Sequence, residues 1–99
     1  MKILFIGDIV GRSGRESVHK QLPNLKKKFN PEVIIANAEN AASGYGLTKK
    51  IANELFDQGI DVLTLGNHAW DQREMLSYIE ECPQIIRAIN YPKGVPGKG

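Results

Sequence analysis

Short runs of apolar residues alternate along the chain with longer amphipathic stretches, and this alternation predicts the secondary structure. Four of the apolar runs have the length and the β-branched or aromatic content of strands. They lie at residues 2–6, 33–36, 62–65 and 85–89. The second run is apolar at every position, which is typical of a strand buried on both faces of a parallel sheet.

The stretches between these runs carry apolar residues at helical spacing and predict three helices. Ser13 and Glu16 match the S-x-x-E capping box, so the first helix is expected to begin there. Pro23 lies inside this helix and is expected to kink it. Thr48 is the expected N-cap of the second helix, and Pro83 ends the third. The residues expected on the inner helix faces are Val18, Leu22, Leu25 and Phe29, then Ile51, Ala52, Leu55 and Phe56, then Met75, Leu76 and Ile79.

The resulting order, β-α-β-α-β-α-β with short connections, predicts an α/β fold with a parallel sheet and right-handed crossovers. Residues 1–99 are expected to form a single domain, with residues 91–99 as a polar tail. A sheet of four strands has an open edge, and such edges are normally covered. We therefore expect the domain to be incomplete and more sheet to follow.

Composition narrows the class of protein. The hydrophobic content of 41% and the charged content of 24% are ordinary for a soluble globular chain, and a net charge of +2 is too small to indicate a nucleic-acid partner. The single cysteine, Cys82, cannot form an internal disulfide. No apolar segment approaches the ~20 residues of a membrane span. We expect a cytoplasmic protein with no membrane partner and no stable nucleic-acid complex.

Polar residues of metal-ligand type follow each of the first three strands. These residues are Asp8 after the first strand, Glu39 and Asn40 after the second, and Asn67 and His68 after the third. In a parallel sheet such ends lie along one edge, with neighbouring strands ~5 Å apart, and two carboxylates that close resist ionising together. A divalent cation removes this conflict, and oxygen ligands with a nearby imidazole suit Mn, Fe, Mg or Zn.

Each of these residues also has a simpler explanation when it is taken alone. Asp8, Asn40 and Asn67 are of types that are common in turns. Glu39 is harder to explain in that way, because it follows an apolar strand that directs its loop towards the sheet edge. His68 has no evident packing role. The coincidence at three successive strand ends favours a site over three unrelated turns.

The sequence resembles calcineurin-like metallophosphoesterases at these same positions. Gly66-Asn67-His68 is similar to their GNH motif, Ile6-Gly7-Asp8 to the start of their first motif, and residues 37–40 occupy the place of their bridging-aspartate motif. The similarity extends to the bacterial YmdB-like branch over residues 2–11, 37–42 and 66–71. Two departures from the superfamily are shared with that branch. Val10 stands where the first motif usually has histidine, and Glu39 replaces the bridging aspartate.

The resemblance implies the N-terminal portion of a metallophosphoesterase α/β sandwich, and a phosphodiesterase or phosphatase that works through two divalent metal ions. Iron or manganese is the expected metal, with zinc or magnesium as alternatives. By resemblance, Asp8, Glu39 and Asn40 hold one ion. Glu39 and Asn67 share the second, and His68 protonates the leaving oxygen or stabilises the phosphorane-like charge. The substrates implied are phosphodiesters, including 2′,3′-cyclic nucleotides.

Family members are longer and take further histidine ligands from later strands, whereas this sequence contains only His19 and His68. The chain is therefore expected to hold part of a metal site and to be inactive alone. This leaves a non-catalytic alternative, in which the chain folds and forms a homo-oligomer through its open sheet edge.

A Rossmann-type dinucleotide-binding domain is the other alternative. Glycines punctuate residues 7–14 between the first strand and the first helix, and Glu39 after the second strand would bind a ribose hydroxyl. The spacing is not G-x-G-x-x-G. In this fold Asp8 would face and repel the pyrophosphate, and residues 67–68 would have no role.

Overall fold

The computed structural model describes residues 2–41, 46–66, 75–87 and 97. Within these ranges the strands and helices follow one another in the predicted order, which confirms the α/β fold. The elements are β1 Ile3–Ile6, α1 Gly11–Phe29, β2 Val33–Asn37, α2 Lys49–Asp57, β3 Val62–Thr64, α3 Met75–Glu81 and β4 Ile85–Ile86. The polar tail predicted at residues 91–99 lies outside the described residues apart from Gly97.

The four strands form one parallel sheet in the order β1-β2-β3-β4. Because the spatial order equals the chain order, right-handed crossovers place all three helices on the same face of the sheet. One hydrophobic core results, in which strand residues such as Ile34, Leu63 and Ile85 pack with helix residues such as Leu22 and Leu55. The carboxyl ends of the strands therefore lie along a single edge.

Burial of β2 on both faces, the expectation from its apolar run, is wrong for the described part of the chain. Ile34 and Ala36 face the helices and are buried, whereas Val33 and Ile35 on the other face are only half-buried. On the same face of the neighbouring strand the side chain of Phe5 is 60% exposed. The physical reason is that all described helices cover one face and no described element covers the other.

Helix α1 begins at Gly11, before the predicted capping box. Val10 is its N-cap, with an extended backbone and no side-chain hydrogen bond. The N–H of Gly11 donates to the carbonyl of Asn40 at 2.9 Å, so a loop carbonyl takes the place of a side-chain cap. Glu16 accepts a hydrogen bond from Arg12 Nε instead of capping the helix. The capping-box prediction was therefore wrong about where the helix starts.

The inner face of α1 is shorter than predicted. Val18 and Leu22 are buried and Leu25 is half-buried, but the side chain of Phe29 is 43% exposed and does not belong to the core. The helix is continuous through Pro23 and ends at Asn30, whose φ of 47° is left-handed. Phe29 lies in the last turn and lines a surface pocket together with Leu4 and Pro31.

The second helix agrees with its prediction. Thr48 has an extended backbone and its hydroxyl accepts a hydrogen bond from the N–H of Ile51 at 3.2 Å, as expected of an N-cap. Ile51, Ala52 and Leu55 are buried against the sheet.

None of the helices in the described part of the chain is long and apolar enough to cross a membrane.

Candidate metal centre

The loops that follow β1 and β2 meet at the carboxyl edge of the sheet. Asn40 donates its side-chain N–H groups to the carboxylate of Asp8, with Nδ2 at 3.0 Å from both Oδ1 and Oδ2. Asp8 is exposed and Asn40 is half-buried, so the pair lies at the surface of this edge. The structure therefore brings together two of the five residues predicted for the site.

Backbone hydrogen bonds hold the same two loops side by side. The N–H of Ile9 donates to the carbonyl of Asn37 at 3.1 Å, and Gly11 donates to Asn40 on the other side of Asp8. Ile9 is buried in the core and fixes the loop to the sheet. The proximity of Asp8 and Asn40 thus rests on the fold as well as on their own hydrogen bonds.

Asn37 orients Glu39, and sequence reasoning assigned it no role of its own. Its Oδ1 accepts the backbone N–H of Glu39 at 3.3 Å, and its Nδ2 lies 3.4 Å from Oε1 of the same residue. An asparagine that bonds the backbone two residues ahead forms an Asx turn. The spacing of Asn37 and Glu39 was the available signal, because it matches that turn.

The carboxylate of Glu39 lies against Gly66 at the end of β3. A side chain on Gly66 would collide with it, because a Cβ atom built there would lie 2.6 Å from Oε1. The N–H of Ala38 donates to the carbonyl of Thr64 at 2.9 Å and fixes the loop after β2 beside this strand. Glu39 therefore connects the end of β2 to the end of β3.

The described residues of the predicted site follow β1 and β2, and the Glu39 carboxylate lies against Gly66 after β3. Asp8, Glu39 and Asn40 belong to the predicted site, while Asn67 and His68 lie outside the described residues. Among the described residues, no group of three or more His, Cys, Asp or Glu side chains is close enough to hold a metal ion. What the described residues offer is two carboxylates and one amide.

These donors fit a divalent cation better than a dinucleotide. Carboxylate and amide oxygens are the ligands that Mg²⁺ and Mn²⁺ prefer, and the amide of Asn40 carries an acceptor oxygen beside the nitrogen that holds Asp8. A dinucleotide would need the first N–H groups of α1 for its pyrophosphate, but that of Gly11 already donates to Asn40. The exposed carboxylate of Asp8 beside that helix end would repel the phosphates.

A glycine of the same loop has a packing explanation. A Cβ on Gly14 would lie 3.2 Å from the side chain of Ile9 and 3.3 Å from its carbonyl carbon. Gly14 therefore lets α1 pack closely on the loop that carries Asp8. This close packing accounts for a glycine that the dinucleotide-binding alternative would have assigned to phosphate binding.

Tyr78 has a raised pKa, and it lies on α3, outside the candidate site. Burial, followed by the Cys82 thiol and the Glu81 carboxylate, raises the pKa of Tyr78 above its ordinary value. Tyr78 lies on α3 and donates its hydroxyl to Asn53 of α2 at 3.0 Å. This group belongs to the packing of two helices.

Comparison with known proteins identifies the group to which these features belong. Residues 4–99 match the family model described as YmdB-like protein. The chain is 50% identical over all 99 of its residues to the 2′,3′-cyclic-nucleotide 2′-phosphodiesterase of Bacillus subtilis, and it covers 38% of that protein.

Two solved structures share the fold over the full length of this chain. A hypothetical protein from Thermus thermophilus superposes with a TM-score of 0.91 at 41% identity, and the chain covers 38% of it. A structure described as a novel phosphatase from Mycoplasma pneumoniae superposes with a TM-score of 0.93 at 32% identity, with 37% of that chain covered. The chain thus spans less than two fifths of the length of these relatives.

Proposed function

The chain belongs to the YmdB-like protein family, and from that premise we propose that it supplies one side of a metal centre that hydrolyses phosphodiesters. The proposal rests on the meeting of three strand ends, where Asn40 holds Asp8 and Glu39 lies against Gly66. A relative with 50% identity is named a 2′,3′-cyclic-nucleotide 2′-phosphodiesterase. We infer that cyclic nucleotides belong to the substrate class.

Asp8, Glu39 and Asn40 would hold the cations, and Asn67 would add a ligand from the end of β3. When bound, a pair of divalent ions supplies an activated water and stabilises charge on the phosphoryl oxygens. Iron or manganese suits this oxygen-rich set, with zinc or magnesium as alternatives. Glu39 would serve both ions, and the position of its carboxylate against Gly66 at the end of β3 supports this role.

His68 would supply the proton that the leaving oxygen requires. It follows Asn67 in the sequence, immediately after the strand end that Glu39 contacts. An imidazole exchanges protons near neutral pH, which suits a general acid. In this proposal Asp8, Glu39, Asn40 and Asn67 bind metal, and only His68 handles a proton.

Binding of Mn²⁺ to the chain tests the assignment of Glu39. Glu39→Gln keeps the size of the side chain but removes its charge, so we expect it to weaken Mn²⁺ binding by about tenfold or more. Glu32→Gln is the matched control, because Glu32 is exposed and lies beside the amino end of β2. The measurement is the loss of the free Mn²⁺ signal in electron paramagnetic resonance during titration.

The parent chain and the Glu32→Gln variant should bind Mn²⁺ with the same affinity. Equal binding by the Glu39→Gln variant would contradict the role of Glu39. If both variants bound Mn²⁺ equally weakly, the cause would be the general loss of a negative charge, and the edge would hold no specific site.

A further inference from the structure

The loop after β2 is fixed by its main chain on both sides of Glu39. Before Glu39, the N–H of Ala38 donates to the carbonyl of Thr64 at 2.9 Å, and Ala38 is fully buried. After Glu39, the N–H of Ala41 donates to the carbonyl of Ala38 at 3.2 Å, and Ala41 is also fully buried. The path of the backbone through Glu39 is therefore set largely by main-chain hydrogen bonds and two buried alanines.

The side chain of Asn37 bonds Glu39 and does not belong to the core. Asn37 is the last residue of β2 and is half-buried. Its backbone holds its place in the sheet, because it is in register with Thr64 and its carbonyl accepts the N–H of Ile9 at 3.1 Å. Its amide group contacts Glu39 twice, since Oδ1 accepts the backbone N–H at 3.3 Å and Nδ2 lies 3.4 Å from Oε1. The amide group therefore acts on Glu39, while the backbone holds the strand.

Asn40 acts on Asp8 in a similar way. Its Nδ2 lies 3.0 Å from both carboxylate oxygens of Asp8, so the segment 37–40 provides an amide donor for each of the two described carboxylates of the candidate site. An amide holds a carboxylate by hydrogen bonds and carries no charge of its own. A lysine or arginine in the same place would repel an incoming cation. Amide donors therefore suit carboxylates that bind metal.

We propose that Asn37 is a positioning residue of the cation site, an inference that rests on the proposed function. Its amide N–H directs the carboxylate of Glu39 towards the end of β3, where the carboxylate lies against Gly66. Loss of this bond makes more rotamers available to the long side chain of Glu39, and a cation must then order that side chain on binding. Residues that hold a metal ligand in place commonly change metal affinity by about 10- to 100-fold.

The substitution Asn37→Asp separates the two contacts of the amide. It keeps the shape of the side chain and an oxygen that accepts the N–H of Glu39, but it replaces the donor by a carboxylate oxygen that repels Oε1. We expect the backbone amide of Glu39 to exchange hydrogen at the parent rate, and the amide NMR signal of Gly66 to shift as the Glu39 carboxylate moves. Asn24→Asp is the matched control, because it adds the same charge at an exposed position of α1 and should leave both readouts unchanged.

A double-mutant cycle separates this effect from a direct effect of residue 37 on β3, with which Asn37 pairs at Thr64. In a Glu39→Ala background, Asn37→Asp should leave the Gly66 signal in place, because the carboxylate that it displaces is gone. A Gly66 shift of equal size in the two backgrounds would overturn the proposal. A Gly66 signal that Asn37→Asp alone does not move would overturn it as well.

Titration with Mn²⁺ measures the consequence for the site. Asn37→Ala should weaken Mn²⁺ binding by about tenfold or more, whereas Asn24→Ala should bind Mn²⁺ as the parent chain does. Weaker binding by the Glu39→Gln variant but not by the Asn37→Ala variant would overturn the role of Asn37 and leave the proposed function in place. Parent affinity in both of these variants would contradict the proposed function itself. Circular dichroism reports whether the Asn37→Ala variant folds, and the NMR cycle decides the question if it does not.

Discussion

Gly66 affects the position of a carboxylate because it has no side chain. The carboxylate of Glu39 occupies the space that a side chain on Gly66 would need, and the Asx turn of Asn37 holds its backbone. The identity of Glu39 as a candidate could be predicted from the sequence, because it follows an apolar strand. The role of Gly66 could not, since a glycine after a strand is equally typical of an ordinary turn.

Substitution of Gly66 by alanine tests this contact. The added methyl group displaces the Glu39 carboxylate, so we expect Mn²⁺ affinity to fall by about tenfold or more and stability to fall by about 1–3 kcal/mol. Gly7→Ala is the matched control, because its methyl group would point into open space, and it should leave Mn²⁺ affinity unchanged. Titration and urea unfolding measure the two effects. Unchanged Mn²⁺ binding by the Gly66→Ala variant would show that the position of Glu39 does not matter.

The order and type of the elements could be predicted from hydrophobic periodicity, but the start of α1 could not. The S-x-x-E pattern at Ser13 and Glu16 predicts a capping box from local sequence alone. The helix begins earlier because the N–H of Gly11 finds the carbonyl of Asn40, a residue 29 positions away along the chain. A contact between distant residues therefore overrides a local signal. At Thr48 the hydroxyl accepts the N–H of Ile51, and the local prediction is confirmed.

A pair of cap substitutions measures this difference between the two helices. Thr48→Ala removes the hydroxyl that accepts the N–H of Ile51, and we expect it to lower the free energy of unfolding by about 1 kcal/mol. Ser13→Ala should change it by less than about 0.5 kcal/mol, because Ser13 is an exposed residue inside α1. Urea unfolding followed by circular dichroism gives both values. A larger loss of unfolding free energy for Ser13→Ala would show that Ser13 does cap the helix.

At the scale of the whole molecule, the described residues form one layer of helices on one face of a parallel sheet. The sequence predicts the parallel sheet, because apolar strands alternate with helices, but it does not reveal that one face is bare of described elements. An apolar strand has the same pattern whether its second face is covered by its own chain, by another copy or by solvent. The relatives are more than twice as long as this chain. In the described part of the chain, the bare face and the outer strands β1 and β4 are surfaces available for further contacts.

In the proposed function, the ends of β1, β2 and β3 form one cation-binding edge. Line broadening of amide NMR signals by substoichiometric Mn²⁺ tests it most directly, because the effect falls steeply with distance from the ion. We predict that the amides of Ile9, Ala41 and Gly66 at the carboxyl edge broaden first, while those of Glu32 and Asp61 at the amino edge stay sharp. Broadening centred on Glu32 and Asp61, or spread evenly over the surface, would contradict the claim.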